Sequence, residues 1–266
     1  MPLTAEPKSR APVVREVPAV RRAVAVLFHL GRTQQAATLS QIARELGIVP
    51  SSCLHILREL TVSGLVVADG AAKTYALGPA VLSLAKYYQS SNRFVDLVRP
   101  HLLTLARRFE VDASAHEVDA MGHVSIVATA DPDRDVQVRL PLGRRFPLLS
   151  GASGRLIAAF NGLAPAQLEQ EFARVRWQNP PTLARWRREV QAARTSGIGV
   201  DEGCYRRGLT AIAAPVQVQP GPVTRIIGAL CITGQLTPAS RRQLTEALQG
   251  AAAAVAAELE RQAGVA

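Results

Sequence analysis

The chain has 266 residues, a hydrophobic content of 48% and a formal net charge of +10. This length and composition suit two soluble domains with buried cores, and no apolar run reaches the roughly 18 residues of a membrane helix. The first residues lack the apolar segment of a secretory signal, so export is not expected. Three widely spaced cysteines without a CxxC pair exclude a disulfide scaffold and a zinc ribbon, and they favour the reducing cytoplasm. The positive charge favours a polyanionic partner, but it is spread over the chain and does not locate the binding surface.

The N-terminal segment, residues 1–17, contains three prolines and three basic residues but little apolar periodicity. This pattern predicts a disordered arm. A helix is predicted from Pro18, because proline suits the first helical turn and apolar residues then recur on one face. These residues are Val20, Val24, Leu27 and Leu30. Gly31 is predicted to end the helix.

The next segment contains two short helices separated by a tight turn. Thr38 and Gln41 stand three residues apart, as in a capping box, and predict the start of the first helix. Gly47 is predicted to end it. Pro50 begins the second helix, whose apolar residues recur at helical spacing and predict one buried face. They are Cys53, Ile56, Leu57 and Leu60.

A β-hairpin is predicted after these helices. Its strands are residues 65–67 and 74–77, with a polar tip between them. Two helices joined by a tight turn and followed by a hairpin are the parts of a winged helix-turn-helix, which we predict for residues 18–78. The helical pattern that follows is predicted to be a linker helix, residues 79–93.

The remaining residues alternate between strands and helices. Helices are predicted at residues 95–109, 153–160, 165–174, 183–196 and 238–261. Strands are predicted at residues 114–118, 124–130, 136–140, 211–218 and 226–233. Because strands are joined by hairpins rather than by regular βαβ units, the sequence predicts an α+β fold in two domains.

Several segments resemble one family of regulators. In the first domain they are residues 20–27, 39–47, 51–57, 64–66 and 75–78. In the second domain, residues 147–155 (PLLSGASGR) resemble the family segment of the type PLHATASGK, and residues 197–202, 208 and 212–216 resemble its later signature. Over residues 17–259 the chain resembles the IclR-family transcriptional regulators. The resemblance implies an N-terminal winged helix and a GAF- or profilin-like α+β domain, residues 94–262, for effector binding and oligomerisation. It also implies a homodimer or homotetramer.

The chain departs from the family pattern at several positions. Pro50 stands where the family usually has Lys, and His55 stands where Arg is common. In the second domain, Leu149 replaces a His and Arg155 replaces a Lys. Gly203-Cys204 replaces a pair of Glu residues. These differences leave the fold assignment in place, but the operator and the effector of relatives cannot be carried over.

The candidate DNA contacts lie on the helix-turn-helix and the wing. The exposed N-terminal part of the second helix is the part that such proteins present to base edges. The wing tip and the start of the first helix offer cations to phosphates. The candidates are Arg21, Arg22, Ser40, Gln41, Pro50, Ser51, Ser52, His55, Arg58 and Lys73. The alternative interpretation is that the serines cap the helix and the charged residues are only solvated.

The candidate effector pocket lies at the loop before residues 153–160. Ser150, Gly151 and Ala152 precede a helix N-terminus, where peptide N–H groups and the helix dipole favour a carboxylate. The resemblance adds Asp201 and, on a strand, Cys231 and Thr233, whose spacing places them on one face. The full set is Leu149, Ser150, Gly151, Ala152, Asp201, Cys204, Ala211, Cys231 and Thr233. Because a buried Asp201 would need a donor, we expect an acid that also carries a hydroxyl or amide. The alternative is that these are packing residues.

These observations predict a sequence-specific DNA-binding regulator controlled by a small organic acid, aromatic or hydroxylated. Its partners would be double-stranded operator DNA, the effector and further copies of itself, and no membrane. No catalytic residue, cofactor or metal is expected. The segment from His116 to Asp119 is not an HExxH motif, and residues 131–135 lack the glycine and distal Glu of a calcium loop. Two alternatives stay open: a constitutive DNA-binding regulator with a vestigial pocket, and an enzyme with a regulatory winged helix.

Overall fold

The computed structural model describes residues 17–33, 35–119, 122–132 and 140–263. Residues 1–16 of the predicted arm (residues 1–17), the turn at residues 120–121 and most of the predicted strand at 136–140 lie outside this part of the chain. The chain divides into two compact units between Tyr88 and Gln89. Both units contain helices and an antiparallel sheet, which confirms the prediction of an α+β fold.

The first unit is a winged helix-turn-helix, as predicted. Its elements are α1 (Pro18–Thr33), β1 (Ala37–Thr38), α2 (Leu39–Leu46), α3 (Pro50–Val62), β2 (Val66–Asp69) and β3 (Thr74–Leu77). The central strand β3 pairs antiparallel with β1 on one side and with β2 on the other. Helix α4 (Ala80–Ser91) follows and contains the division between the units.

The capping box at the start of α2 is confirmed. The Thr38 hydroxyl accepts a hydrogen bond from the Gln41 peptide N–H, and the Gln41 side chain accepts one from the Thr38 N–H at 2.8 Å. Gly47 ends α2 in the left-handed conformation, with φ 62°. Both ends of α2 are therefore set by local chemistry that is visible in the sequence.

The predicted end of α1 is wrong. Gly31 lies inside the helix, which continues to Thr33. A glycine weakens a helix interior by only about 1 kcal/mol, and packing can outweigh that cost. A Cβ at Gly31 would lie 3.4 Å from Leu77 Cδ1, so the glycine allows β3 to approach. The Thr33 hydroxyl then bonds to carbonyl oxygens of the last turn.

The apolar face identified on α1 is buried only in part. Val20 and Val24 are exposed. The buried residues of the helix are Val26, His29 and Leu30. The core of this unit is formed by α1, α2, α3 and β2, and its fully buried members are Val26, Leu30, Ile42, Ala43, Ile48, Cys53, Leu57, Leu60 and Val66. The face predicted for α3 lies in this core, with Ile56 only partly buried.

The second unit contains a six-stranded antiparallel sheet with helices on both faces. Its elements are α5 (Arg93–Phe109), β4 (Asp112–Val118), β5 (His123–Ala130), β6 (Arg145–Pro147), α6 (Gly151–Phe160), α7 (Pro165–Arg174), α8 (Leu183–Ser196), β7 (Gly199–Glu202), β8 (Leu209–Pro215), β9 (Arg225–Ile232) and α9 (Pro238–Ala263). The strand order is β6-β5-β4-β9-β8-β7.

Two hydrophobic cores lie in this unit. One joins the sheet to α5 and α9, and the other joins it to α6, α7 and α8. Gly199 lets β7 approach α6 closely, because a Cβ there would lie 2.2 Å from the Ala152 carbonyl oxygen. This contact fixes the start of α6 against the sheet. Within the described residues, no helix combines the length and apolarity needed to cross a membrane.

Candidate functional site

The N-terminal part of α3 presents its predicted contact residues to solvent. Pro50, Ser51, His55 and Arg58 are exposed, and Ser52 is half-buried. The N-cap of α3 is Val49, and no side chain caps this end of the helix. The alternative in which the serines cap α3 is therefore wrong, and their hydroxyls are not used in that role.

The wing and the start of α2 place the other candidates. The Asp69 carboxylate accepts from the N–H groups of Ala71 and Ala72 at 2.9 and 3.0 Å, which fixes the turn. Lys73 is exposed and adopts a left-handed φ of 54°. Ser40 and Gln41 are exposed, but the Gln41 side-chain oxygen is used by the capping box. Arg21 and Arg22 are exposed near the start of α1.

A cavity of about 190 Å³ lies in the second unit, between the N-terminus of α6 and one face of the sheet. Five of the nine predicted effector residues line it: Ser150, Gly151, Ala152, Asp201 and Ala211. Side chains that were not predicted to line an effector pocket complete the wall. They include Ser114, His116, Arg144, Phe146, Ser153, Tyr205, Arg206 and Leu230.

The other four predicted residues do not line the cavity. Leu149 is fully buried in the core under α6, and Cys204 is buried with its Sγ 3.8 Å from the Glu202 carbonyl oxygen. Cys231 belongs to the core against α5 and α9, on the opposite face of the sheet. Thr233 lies beyond the end of β9, is exposed and bonds to the Thr210 hydroxyl at 3.0 Å.

The error on β9 is one of register. Successive side chains of a strand point to opposite faces, so a shift of one residue exchanges the two sets. On β9 the cavity is lined by Gly228, Ala229 and Leu230, whereas Cys231 does not line it and belongs, with Ala229, to the core on the other face. The sequence alone shows that side chains alternate along β9, but it does not show which of the two alternating sets faces the cavity.

Backbone and hydroxyl donors converge at the start of α6. Ser150 is the N-cap, but its side chain makes no capping bond. It is 7% exposed, and its Oγ has no hydrogen-bond partner within the described residues. The N–H groups of the first helical turn have no acceptor within a helix, so they point outward from its end. Gly154 makes this tight turn possible, because a Cβ there would lie 2.0 Å from the Leu149 carbonyl carbon.

A buried ionic network lies beneath this helix end. Arg155 is 1% exposed, and its Nη1 lies 2.9 Å from Asp201 Oδ1 and donates to the Gly151 carbonyl oxygen at 2.8 Å. Its Nε and Nη2 donate to Glu189 Oε2 at 2.9 and 2.6 Å. Asp201 Oδ2 accepts from the Tyr205 N–H at 3.0 Å. The charge of Asp201 is thus balanced by Arg155, but its buried Oδ1 makes no hydrogen bond within the described residues, so the expectation that the effector donates to Asp201 stays a prediction.

His116 lies between two serine hydroxyls on the cavity wall. Its Nε2 is 2.9 Å from Ser114 Oγ, and its Nδ1 is 2.9 Å from Ser153 Oγ. Burial lowers the pKa of His116 from 6.5 to about 4, so the imidazole is neutral at pH 7. A neutral imidazole donates at one nitrogen and accepts at the other. The chain from Ser114 through His116 to Ser153 therefore offers polar but uncharged groups and ties β4 to α6.

Two cations lie on aromatic rings of the cavity wall. The Arg144 guanidinium carbon is 5.3 Å from the centre of the Phe146 ring, and that of Arg206 is 5.0 Å from the centre of the Tyr205 ring. The two rings meet edge to face with centroids 6.1 Å apart. The wall is therefore apolar between its polar groups, as ligand pockets commonly are.

The sequence from His116 to Asp119 does not form a metal site in the described structure. Glu117 accepts a hydrogen bond from the Asn92 side chain at 3.0 Å and lies 3.4 Å from Arg225 Nε. Among the residues that the structure describes, no three His, Cys, Asp or Glu side chains converge as metal ligands would.

Two family models match the chain. The model for the bacterial transcriptional regulator IclR C-terminal domain matches residues 88–257, and the model for the IclR helix-turn-helix domain matches residues 19–70. The glycerol operon regulatory protein of Streptomyces griseus is 28% identical over 93% of this chain and 98% of its own length.

Solved structures extend this likeness to the fold. An IclR transcriptional regulator from Alicyclobacillus acidocaldarius has a TM-score of 0.81 at 26% identity, over 91% of this chain and 99% of that one. An IclR homologue from Microbacterium hydrocarbonoxydans, crystallised with 4-hydroxybenzoate, has a TM-score of 0.75 at 19% identity. That alignment covers 91% of this chain and 99% of the homologue.

Proposed function

We propose that this chain, which belongs to the IclR family of bacterial transcriptional regulators, controls its binding to DNA through a small organic acid held in the cavity at α6. It is a DNA-binding transcriptional regulator. The observation that carries the proposal of effector control is the buried Ser150 hydroxyl, which lines the cavity without a partner among the described residues. An unsatisfied buried hydroxyl costs free energy, and a bound ligand oxygen would remove that cost.

DNA is recognised by the exposed part of α3 and by the wing. Ser51 and His55 face solvent where helix-turn-helix proteins meet base edges, so they are the candidates for sequence readout. Lys73 at the wing tip and Arg58 on α3 are exposed and would meet phosphates, which set position rather than sequence. Arg21 and Arg22 would add backbone contacts near the start of α1.

The size and lining of the cavity favour a ligand of about one aromatic ring. An engineered apolar cavity of about 150 Å³ binds benzene, and this cavity is slightly larger, at about 190 Å³. Phe146, Tyr205 and Leu230 supply the apolar surface. The carboxylate would accept from the first N–H groups of α6 and from Ser150. The complex of the Microbacterium homologue with 4-hydroxybenzoate makes that compound a suitable first probe.

A second copy of the chain would cover apolar residues that this copy leaves exposed. Helix α4 contains no buried residue, and its apolar side chains Leu82 and Leu84 are 74% and 57% exposed. Val20 and Val24 on α1 are also exposed. We therefore expect at least a homodimer, which would present two copies of α3 to an operator with two half-sites.

The test of effector control is the response of Ser150→Ala to 4-hydroxybenzoate. The variant loses one donor to the ligand, so we expect affinity to fall about three- to tenfold, as for the loss of one hydrogen bond. Calorimetry would measure this affinity, and fluorescence anisotropy would measure operator binding without ligand, which should be unchanged. Thr245→Ala, on α9 and outside the cavity wall, is the matched control.

The alternatives make different predictions in the same experiment. A constitutive regulator with a vestigial pocket would show no ligand binding in wild type and no change of operator affinity on addition of ligand. An enzyme would convert the compound, whereas a regulator would release it unchanged. Equal ligand affinity in wild type and Ser150→Ala would contradict the assigned position of the carboxylate.

A further inference from the structure

We propose that Arg144 and Arg206 bind a second acidic group of the effector, so that the regulator responds preferentially to a compact diacid. This inference rests on the proposed function, because it assumes that the effector occupies the cavity at α6. It adds the chemical class of the ligand. Both arginines line the cavity, and neither has an ion-pair partner among the residues that the structure describes.

The charges of the cavity are divided between its interior and its rim. In the interior, the Arg155 cation is already compensated by Asp201 and Glu189. His116 is neutral at pH 7, because burial lowers its pKa to about 4. The interior therefore has donors but no uncompensated cation. The exposed Arg144 and the half-buried Arg206 supply positive charge where the wall meets solvent.

The two guanidinium groups are held by their surroundings. Each lies over an aromatic ring that itself lines the cavity, Phe146 for Arg144 and Tyr205 for Arg206. A cation held over a ring face is attracted by the ring quadrupole, and its unused N–H donors still point outward. The arrangement presents planar donors beside an apolar wall, which suits a carboxylate attached to a flat or short apolar body.

The backbone at Arg144 and at Arg206 is also fixed by hydrogen bonds. The peptide groups of Arg144 bond to the Pro141 carbonyl oxygen and to the Ile126 N–H, at 3.1 and 3.0 Å. In the loop before β8, the Leu209 N–H donates to the Arg206 carbonyl oxygen at 3.2 Å. With the backbone fixed, only the side-chain rotamers remain to be ordered when an anion binds, and this preorganisation of the backbone favours affinity.

A ligand that uses both ends of the cavity needs two acidic groups on one small body. One carboxylate accepts from Ser150 and the start of α6, and the other meets the two arginines. A monoacid of the same size leaves the arginines solvated. Because the two arginines offer charge-assisted hydrogen bonds that a monoacid cannot use, we expect the diacid to bind at least tenfold more tightly than its matched monoacid.

The experiment compares matched acids on the full-length protein. Calorimetry would measure the affinities of benzoate, 4-hydroxybenzoate and the three benzenedicarboxylates, and of hexanoate against hexanedioate. The variants are Arg144→Gln and Arg206→Gln. The matched controls are the neighbouring Arg145→Gln and Arg207→Gln, whose side chains do not line the cavity. Thermal melting of each variant without ligand would show that it is folded.

The expected result is that at least one diacid binds tenfold or more tightly than its matched monoacid. Arg144→Gln and Arg206→Gln should each reduce this preference to less than threefold, while both controls keep it. Equal affinities for monoacids and diacids, or a preference that survives in both variants, would overturn the inference and leave effector control in place. If none of the acids binds to the wild-type protein, both this inference and the proposed effector site are wrong.

Discussion

His116 shows how burial decides the chemistry of a single residue. In the sequence it is one histidine beside Glu117, and a metal ligand or a general base would look the same. In the structure its two nitrogens meet Ser114 and Ser153. Burial lowers its pKa to about 4, so it acts as a neutral hydrogen-bonding group. It thereby connects the sheet to the start of α6 without adding charge to the cavity.

This environment makes the stability of the protein depend on pH. In the unfolded chain His116 takes up a proton near pH 6.5, whereas in the folded chain it does so near pH 4. Its contribution to stability is therefore complete above pH 6.5 and is lost as the pH falls toward 4. Between pH 7 and 5, we expect wild type to lose about 2 kcal/mol more than His116→Gln, at 1.36 kcal/mol per pKa unit.

Urea unfolding at several pH values would measure this difference. The comparison with His116→Gln removes the contributions of other titrating groups, because both proteins share them. Val62→Ala, at a surface position that is 85% exposed, is a control for the effect of a substitution as such. Parallel curves for wild type and His116→Gln would contradict the lowered pKa.

At the scale of elements, the start of α6 is held by charges from two neighbouring elements. Arg155 on α6 contacts Asp201 on β7 and Glu189 on α8, and it is almost completely buried. Removing one member of a buried pair leaves an uncompensated charge, which costs about 3–5 kcal/mol. We expect Arg155→Met to be destabilised by about that amount, measured by chemical unfolding.

A double variant separates the charge from the packing. In Arg155→Met/Asp201→Asn the buried carboxylate is gone, so part of the lost stability should return. Arg187→Gln breaks the pair of Arg187 with Glu169, in which both side chains are about half exposed, and it should cost about 0–1 kcal/mol. If the double variant is less stable than Arg155→Met alone, the loss comes from packing and the electrostatic explanation is wrong.

The elements that local chemistry determines were predictable from the sequence. Thr38 with Gln41 and Gly47 fixed α2, because a capping box and a left-handed glycine act within a few residues.

The side of β9 that faces the cavity was not predictable, because it depends on pairing with β4 and β8, which are distant in sequence. The burial of Arg155 was missed for the same reason, since its partners come from α8 and β7. Ser114 and His116 share a face by their spacing, and this was the signal that could have placed them at the site.

At the scale of the whole molecule, the proposed tasks of DNA recognition and effector binding fall on different units of one chain. The first unit presents α3 and the wing, and the second unit contains the cavity. Helix α4 is the covalent connection between them and buries none of its residues within the chain. Because apolar residues of α1 and α4 remain exposed, we expect a second copy to cover them and to allow binding to paired DNA half-sites.

The last prediction tests this assembly. A charge at the interface should separate the copies, so Leu82→Glu and Val24→Glu should each lower the mass found by light scattering. Val218→Glu, which alters an exposed valine in the second unit, should not lower the mass.

Each dissociated variant should bind a duplex with two half-sites at least tenfold more weakly, because the second contact is no longer intramolecular. Binding to a single half-site should be unchanged, and each copy that is lost should reduce the steepness of the salt dependence, because fewer phosphates are contacted. If the mass falls but affinity for the two-site duplex stays constant, α1 and α4 join the copies without aligning their α3 helices. If the mass does not change, the exposed residues of these helices are not the interface.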